Sequence, residues 1–450
     1  MLKTSKSLYL LLGIVLLVHS FVLTKLIFFP YPELFIYPYL TNNNLKPYSQ
    51  ILDQHFPGLM FLPINLDNLG MNTAEVARIW SISIVIIIQI FLFVISSEIL
   101  KSKAKALAVN VLYLVWQPFF EGWILWIDSF LPLILLPGFY ALIKKKFFLT
   151  GLLLGIGIVF KQVLIPLSII VLIYIFWREK EFKSVLKYSG GLILPIILMV
   201  SYFWSIGVLG DFWYWTVVFN LTTYAQYGRG AGPTLAHFSR VILVFGLSFL
   251  IIRKIKLEKV QILTIFLIGT LAGLTTRFDF IHFQPMLPFA VLATVYGLGM
   301  SGRLERLGII GLYGVIMVWW MIIFYKGHLG DRVIAFDADT KLLAAKIRQY
   351  TKPQEKIFVF GGQPHLYQMS DTLPAGDIFV FQFPWFLQVA KDRILAGIEK
   401  DKPEIIVADR TLEIEGDKLT DFAEDIDEYI SKNYERIDKA GDAEILRKND

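Results

Sequence analysis

Long apolar stretches, separated by short polar ones, fill the first 325 residues of the chain. A helix needs about 20 mostly apolar residues to cross a bilayer. By length and hydropathy, eleven stretches qualify or come close. The pattern predicts a polytopic α-helical membrane protein with about 11 transmembrane helices. The predicted spans are residues 7–28, 78–99, 106–120, 124–143, 147–160, 163–177, 188–206, 238–252, 260–276, 286–300 and 307–325.

One apolar run, residues 147–177, is too long for a single span and contains Lys161 and Gln162 near its middle. A continuous helix of about thirty residues would measure roughly 45 Å, well beyond the hydrocarbon core. We therefore predict two short spans that meet at Lys161, with the chain going out and coming back. This path places an ammonium at the outer membrane surface, where an anionic partner would favour it.

Basic residues gather after every even-numbered predicted span. Because Lys and Arg favour the cytoplasmic side of a membrane, this alternation predicts an N-terminus inside and, with an odd number of spans, a C-terminus outside. No small-residue cleavage site follows the first apolar stretch, so we interpret it as a retained span of a multi-pass protein of the cytoplasmic (inner) membrane. The basic clusters lie at residues 101–105, 144–146, 178–187, 253–259 and 303–306.

The composition is typical of a membrane protein and excludes some kinds of chemistry. Of the 450 residues, 56% are hydrophobic and 18% are charged, and the mean hydropathy is +0.59. The chain has no cysteine, which excludes disulfides and thiolate metal sites. The net charge of +6 is spread unevenly, and we expect no nucleic-acid partner.

The composition changes after about residue 326, where apolar runs shorten and charges appear throughout. Helical periodicity alternates with short apolar strands, which predicts a transmembrane domain over 1–325 and a small extracytoplasmic α/β domain over 326–450. The predicted helices include residues 341–350, 394–400 and 420–433, the last with Thr420 as N-cap, and the predicted strands are 356–360 and 404–408.

The first outer loop, residues 29–77, contains several candidate site residues. Glu33 follows a Pro-rich turn that ends the first span and holds the carboxylate near the bilayer surface. Tyr48, Asp53 and His55 add a phenol, a second acid and an imidazole. Loops of this length tend to be functional. The alternative for Glu33 is an interfacial acid that is simply solvated.

Further ionisable residues lie at the ends of predicted spans on the same outer side. Asp128 lies in the first turns of the fourth span, with Glu121 just before it, although the helix dipole alone could account for an acid there. Arg277 and His282 lie at the end of the ninth span, where a structural pair of Arg277 with Asp279 is the alternative. Because ionisable groups at membrane depth are costly, each is a functional candidate.

These residue types indicate one class of chemistry. Cations beside a lipid-accessible surface suit a phosphate held at the membrane. A nearby carboxylate suits deprotonation of an attacking hydroxyl. Group transfer from a lipid phosphate combines the two.

Several segments together resemble the C-type (GT-C) integral-membrane glycosyltransferases of the protein mannosyltransferase/aminoarabinose transferase-like group. The pattern around Glu33 and Tyr48 resembles the acidic motif of that family and the G-x-x-x-Y motif that follows it. Residues 151–162 are similar to its GLLLGLA-x-x-x-K-Q segment, and Asp128 occupies the place of its second acidic position. Further similar segments are residues 53–58, 277–285 and 357–367.

The resemblance implies a GT-C fold and an inverting transfer of a sugar from a polyprenyl-phosphate donor to an acceptor hydroxyl at the outer face. Glu33 would act as the general base, and Asp128 would be a second catalytic carboxylate. The acceptor could be a lipid, a glycan or a protein. The substrate-binding residues implied are Lys161, Arg277 and His282, around the phosphate, and His55, Asp53 and Tyr48 in the first loop.

The resemblance requires no cofactor. Some relatives use a divalent metal ion, and here Asp128, Glu33 and His55 could supply oxygen and nitrogen ligands. The metal ligands, if any, are unknown from the sequence.

Two other classes fit parts of the sequence. A secondary transporter or a lipid-linked-sugar flippase would also place charges in its spans, but the sequence has no evident inverted repeat and no chain of acids through the inner half of the bilayer. A non-catalytic scaffold member of the family would not need Glu33. The sequence does not identify the sugar or the acceptor.

Overall fold

In the computed structural model, the described residues are 2–227, 232–275, 277–300, 302–414 and 416–449. They form a mostly helical protein with a small sheet near the C-terminal end. The chain divides into two compact units, each built from three segments. Unit 1 contains Met1–Phe29, Ala77–Met199 and Ala231–Arg332, and unit 2 contains Pro30–Val76, Val200–Gly230 and Val333–Asp450.

The apolar stretches of the sequence fold as helices joined by short turns. Two-residue strands β1 (Phe29–Pro30), β2 (Ile51–Leu52) and β3 (Ile124–Leu125) lie between them. In chain order the helices are α1 (Leu2–Lys25), α2 (Glu33–Asn42), α3 (Ala74–Leu100), α4 (Lys103–Gln117), α5 (Ile127–Ile143), α6 (Phe147–Phe160), α7 (Ile165–Glu179), α8 (Phe182–Ser205), α9 (Leu209–Trp213), α10 (Thr223–Tyr227), α11 (Leu235–Phe245), α12 (Glu258–Gly269), α13 (Leu287–Leu298) and α14 (Arg303–His328).

The predicted fold class is confirmed, and each predicted span overlaps a helix of the described residues. Six helical stretches of the described chain are long and apolar enough to cross a membrane: Lys6–Lys25, Ala74–Leu100, Gln162–Glu179, Phe182–Ser205, Leu235–Lys254 and Leu304–His328. The chain is therefore an integral membrane protein. The helices α5, α6 and α13 are apolar but shorter, so the number of eleven spans stays a prediction.

The long run around Lys161 is broken where the sequence predicts. Helix α6 ends at Phe160, Lys161 is extended with φ −156° and ψ 118°, and a short 3-10 turn leads into α7. Lys145, just before α6, pairs with Glu179 at the end of α7 at 2.9 Å. The start of α6 and the end of α7 therefore lie at the same end of unit 1, which confirms the out-and-back path.

The basic clusters that follow the predicted even-numbered spans also meet at this end of unit 1. Four ion pairs connect residues at the ends or starts of different helices. Exposed pairs of this kind contribute little stability, but they show which helix ends are neighbours. They are Glu98–Lys144, Lys145–Glu179 at 2.9 Å, Arg178–Glu258 at 3.8 Å and Arg253–Glu305 at 3.0 Å.

Glycines let α6, the helix that immediately precedes Lys161, pack closely against α8. A Cβ atom on Gly151 would lie 2.0 Å from the carbonyl oxygen of Tyr188, and one on Gly191 would lie 2.1 Å from that of Phe148. Small residues at such crossings are typical of packed membrane helices.

The chain after α14 forms the predicted α/β region within unit 2. The predicted strands 356–360 and 404–408 and a helix over 341–350 are present. In order, the elements are α15 (Ala338–Tyr350), β4 (Lys356–Phe360), α16 (Leu366–Ser370), β5 (Leu373–Pro374), β6 (Phe379–Val380), α17 (Pro384–Asp401), β7 (Ile405–Ala408), β8 (Glu413–Ile414), β9 (Asp417–Lys418), α18 (Leu419–Phe422), α19 (Glu424–Asn433), β10 (Tyr434–Ala440) and β11 (Ala443–Lys448).

The main sheet has the strand order β10-β11-β7-β4-β5. Strand β4 pairs in parallel with β7 and β5, whereas β11 runs antiparallel to β7 and forms a hairpin with β10. Sequence analysis did not predict this hairpin. The prediction of Thr420 as the N-cap is wrong, because the acidic helix begins at Glu424 and a separate short helix precedes it.

The first outer loop is part of unit 2. Strand β2 in that loop pairs in parallel with β6, with Ile51 opposite Phe379, and Arg393 of α17 donates a hydrogen bond to the carbonyl of Ser49 at 2.7 Å. The predicted division into a transmembrane domain, residues 1–325, and an extracytoplasmic domain, residues 326–450, describes location relative to the membrane. It stays a prediction.

Candidate active site

Glu33 is the first residue of α2. The preceding Pro32 has φ −54° and ψ −31°, values compatible with a helix, so the Pro-rich turn leads directly into α2. A carboxylate in the first turn is favoured by the partial positive charge of the helix start. Glu33 is only 9% exposed, so it is a buried acid and not a solvated one.

Asp53 is the centre of a hydrogen-bond network in the first outer loop. Its Oδ2 accepts from the hydroxyl of Tyr37 at 2.6 Å, and its Oδ1 accepts from the backbone N–H of His55 at 2.7 Å and lies 2.9 Å from Nδ1 of the same residue. Tyr48 is fully buried and donates its hydroxyl to the carbonyl of His55 at 2.9 Å. The loop residues predicted to bind substrate therefore form one connected group.

One carboxyl oxygen of Glu33 does not take part in this hydrogen-bond network. Its Oε2 is buried and, among the described residues, has no hydrogen-bond partner. Burial raises the pKa of Glu33 to about 7; a backbone hydrogen bond opposes this shift, and the charge of Asp53 adds to it. A carboxyl with a pKa near 7 suits a general base working close to neutrality.

In unit 1, Asp128, Lys161 and His282 form a second group. Nζ of Lys161 lies 2.5 Å from Oδ2 of Asp128, and Nδ1 of His282 lies 3.1 Å from both atoms. Their side chains are 1%, 7% and 12% exposed for Asp128, Lys161 and His282 respectively. Sequence analysis placed all three residues on the outer side of the membrane but did not identify an anionic partner for Lys161. In the structure that partner is Asp128.

The local structure explains how three distant segments supply this triad. Asp128 lies in the first turn of α5, and Lys161 lies in the break between α6 and α7. His282 belongs to a 3-10 turn, Phe280–Phe283, that precedes α13. Because Lys145 lies at the other end of the α6–α7 pair, the triad is at the end of unit 1 opposite the basic clusters.

Two further residues from the sequence analysis lie beside the His282 turn. Arg277 pairs through Nε with Oδ2 of Asp279 at 3.0 Å, which is the structural pair considered as the alternative. Glu121 accepts a hydrogen bond from the backbone N–H of Ile281 at 2.8 Å. Its backbone lies in the left-handed region with φ 57°, a conformation that costs a non-glycine residue energy. Glu121 thus holds the turn that presents His282.

Within the described part of the chain, no group of three or more His, Asp or Glu is placed so that it could hold a metal ion, and the possible divalent ion stays a prediction. Oδ2 of Asp128 is occupied by the ammonium of Lys161. His55 is oriented by its bond to Asp53. We therefore derive no step through a metal ion.

Sequence analysis missed Tyr37, which belongs to the Asp53 network, and Arg240, whose guanidinium lies over the ring of Phe280 in the His282 turn. Tyr37 follows Glu33 by four residues, and this spacing puts both on one face of α2, so helical periodicity could have pointed to it. Arg240 lies within the predicted span 238–252, and a charged residue in a span is itself a signal.

Comparison with known proteins gives a clear result for the fold only. No protein-family model matches the chain, and no curated protein matches it. Two solved structures of ArnT from Cupriavidus metallidurans are similar over almost the whole length. The structure bound to undecaprenyl phosphate is 12% identical with a TM-score of 0.66 and 97% of each chain covered. The apo structure is 12% identical with a TM-score of 0.68 and 98% of each chain covered.

The chain has the ArnT fold. This likeness confirms the fold class that the sequence predicts, and the predicted small C-terminal sheet region is also present in the structure. At 12% identity the ArnT likeness concerns the fold alone, so the roles of the residues are argued from the chemistry above.

Proposed function

We propose that the protein is a glycosyltransferase that moves a sugar from a polyprenyl-phosphate donor to an acceptor hydroxyl at the outer face of the cytoplasmic membrane. The observation that carries the proposal is the buried carboxyl of Glu33, with a pKa near 7 and an oxygen that accepts no hydrogen bond from a described residue. The ArnT fold supports it, since one ArnT structure is bound to undecaprenyl phosphate.

The chemistry follows from the character of Glu33. Its ionised carboxylate takes the proton of the acceptor hydroxyl while the hydroxyl oxygen attacks the anomeric carbon of the sugar. The bond between that carbon and the phosphate oxygen breaks, and polyprenyl phosphate leaves with the electron pair. Attack from the side opposite the leaving group inverts the anomeric centre.

Asp53 and His55 support Glu33 through charge. The negative charge of Asp53 raises the pKa of Glu33, whereas His55 lowers it. Asp53 accepts hydrogen bonds from Tyr37 and His55, which fix its position. The electrostatic effect of Asp53 on Glu33 is therefore fixed as well. His55, with a side chain that is 26% exposed, is the member of this group that substrate reaches.

Lys161, His282 and Arg277 are the proposed ligands of the donor phosphate. An ammonium has three N–H donors, and Asp128 and His282 account for two positions around Nζ of Lys161. The third donor of Lys161 and the guanidinium of Arg277, whose side chain is 35% exposed, are the proposed contacts for phosphate oxygens. In this arrangement Asp128 holds Lys161 and His282 in place.

A comparison of three strains tests the function: wild type, a deletion strain and a strain with Glu33→Gln. General-base help is typically worth about 10²-fold or more, so the Gln variant should lose the same glycan or glycolipid as the deletion. If only the deletion changes the glycans and lipids, Glu33 is not the base. A transporter or flippase would instead accumulate its unmoved lipid-linked sugar in both mutant strains with no loss of transferase activity in extracts.

A further inference from the structure

Arg240 is a cation that the proposed chemistry does not use. It lies in the second turn of α11, within an apolar stretch long enough to cross a membrane. A charged side chain in such a stretch is costly and is by default a functional candidate. The surroundings of its guanidinium show what kind of function it can have.

Aromatic rings surround the guanidinium. Its central carbon lies 3.8 Å from the ring centre of Phe280 and 4.1 Å from that of Phe119, with Phe120 at 5.4 Å. Ring faces attract a cation, and they hold this one in place from two sides. They do not supply the strong acceptors that a guanidinium with five N–H donors requires.

No described residue supplies those acceptors. Nε of Arg240 is buried and has no hydrogen-bond partner, and the described residues show no carboxylate within ion-pair distance of the guanidinium. The acid that acts on it electrostatically is Glu121, whose carboxyl accepts from the backbone N–H of Ile281 at 2.8 Å. Burial raises the pKa of Glu121 to about 7, so it is an incomplete counter-charge at neutral pH.

The depth of Arg240 fits an anion carried by a lipid. The same helical stretch ends with Arg253, which pairs with Glu305 among the basic clusters. Thirteen residues of α-helix and 3-10 helix separate the two arginines by roughly 20–25 Å, which places Arg240 towards the opposite membrane surface. Its helix neighbours Phe238 and Ile242 are 49% and 67% exposed and apolar, so α11 borders the lipid on the face opposite to Arg240.

We propose that Arg240 binds the phosphate of a membrane lipid. A planar guanidinium can hold two phosphate oxygens at once, and the rings of Phe119 and Phe280 fix its plane for this contact. This site uses residues different from the Asp128–Lys161–His282 triad and does not depend on sugar transfer.

The test is a binding measurement on the purified full-length protein by native mass spectrometry. The probes are phosphatidylglycerol, diacylglycerol of the same chains, which lacks the phosphate, and inorganic phosphate as competitor. The variants are Arg240→Gln, Arg240→Lys and, as a matched control on the same helical stretch, Arg253→Gln. Unfolding temperatures in lipid-free detergent accompany each variant.

The proposal predicts one retained phosphatidylglycerol in wild type and in Arg253→Gln, at least tenfold weaker retention in Arg240→Gln and an intermediate value in Arg240→Lys. Diacylglycerol should not bind at this site, and inorganic phosphate should not compete at millimolar concentration. The unfolding temperature of lipid-free Arg240→Gln should not fall.

Two results would overturn the proposal. Equal lipid retention by wild type and Arg240→Gln, with a lower unfolding temperature for the variant, would make Arg240 only a packing residue between aromatic rings. Full displacement by inorganic phosphate would make the site one for a soluble anion. Because the measurement involves no turnover, neither result bears on the role of Glu33.

Discussion

Lys161 and Asp128 form an ion pair at the break between α6 and α7, and both are almost fully buried. Their pairing changes what a substitution at either position does. A buried charge left without its partner costs several kcal/mol, whereas loss of both charges can be nearly neutral. The sequence showed the ammonium but not its counter-ion, because Asp128 lies more than thirty positions away along the chain.

We predict that Lys161→Met and Asp128→Asn each destabilise the protein by about 3–5 kcal/mol and that the double variant recovers much of the loss. The apparent unfolding temperatures of the four proteins in detergent measure this coupling. Arg277→Gln is the matched control, because it breaks a pair whose side chains are 35% and 40% exposed and should cost at most about 1 kcal/mol. Additive effects of the two single substitutions would contradict a buried pair.

Donor binding by the double variant then separates the two roles of Lys161. If Lys161 binds phosphate as proposed, the double variant, which carries neither charge, should be stable. It should nevertheless bind polyprenyl-phosphate-linked sugar weakly. Donor affinity equal to wild type in that variant would leave Lys161 with a structural role alone.

At the scale of elements, hydropathy predicts helices well and strands less well. Each apolar run became a helix near its predicted bounds because water-excluded backbone must be hydrogen-bonded within its own segment. Strands β4 and β7 are continuous apolar runs and were predicted. Strands β10 and β11 combine buried residues with exposed polar residues and have no continuous apolar run. Their formation depends on the pairing of β11 with β7, so the local sequence does not predict them.

The same limit applies to the candidate site. Sequence patterns identified Glu33, Asp53, Asp128, Lys161 and His282 as residue types suited to phosphate and proton chemistry. They could not show that Glu33 is buried or that Asp53 is bonded to Tyr37, because burial and long-range bonds depend on how separate segments pack.

For the whole molecule, the basic clusters make the orientation testable. Ion pairs bring them together at one end of unit 1, and the positive-inside rule predicts that this end is cytoplasmic. A label or reporter at Lys145 should therefore be found inside and one after the last residue outside. Labelling of both positions from the same side would contradict the predicted number of spans and the outer location of the site.

Glu33 is the proposed base in polyprenyl-phosphate-dependent sugar transfer. Its raised pKa also has a consequence for folding. A carboxyl whose pKa is raised in the folded state stabilises that state at low pH, and the contribution is lost as the pH rises through about 7. Glu33→Gln should therefore be at least as stable as wild type at pH 8, which makes it a fair variant for kinetics.

The most direct measurement is the rate of polyprenyl phosphate release from a panel of polyprenyl-phosphate-linked sugars by purified wild type and Glu33→Gln between about pH 5 and pH 9, with an envelope extract of the deletion strain as the source of the acceptor. Wild type should lose activity as the pH falls through about 7, because the base becomes protonated. Glu33→Gln should be slower by about 10²-fold or more, with little dependence on pH in this range and with donor binding retained. A Glu33→Gln protein with the wild-type rate and pH profile would contradict the account.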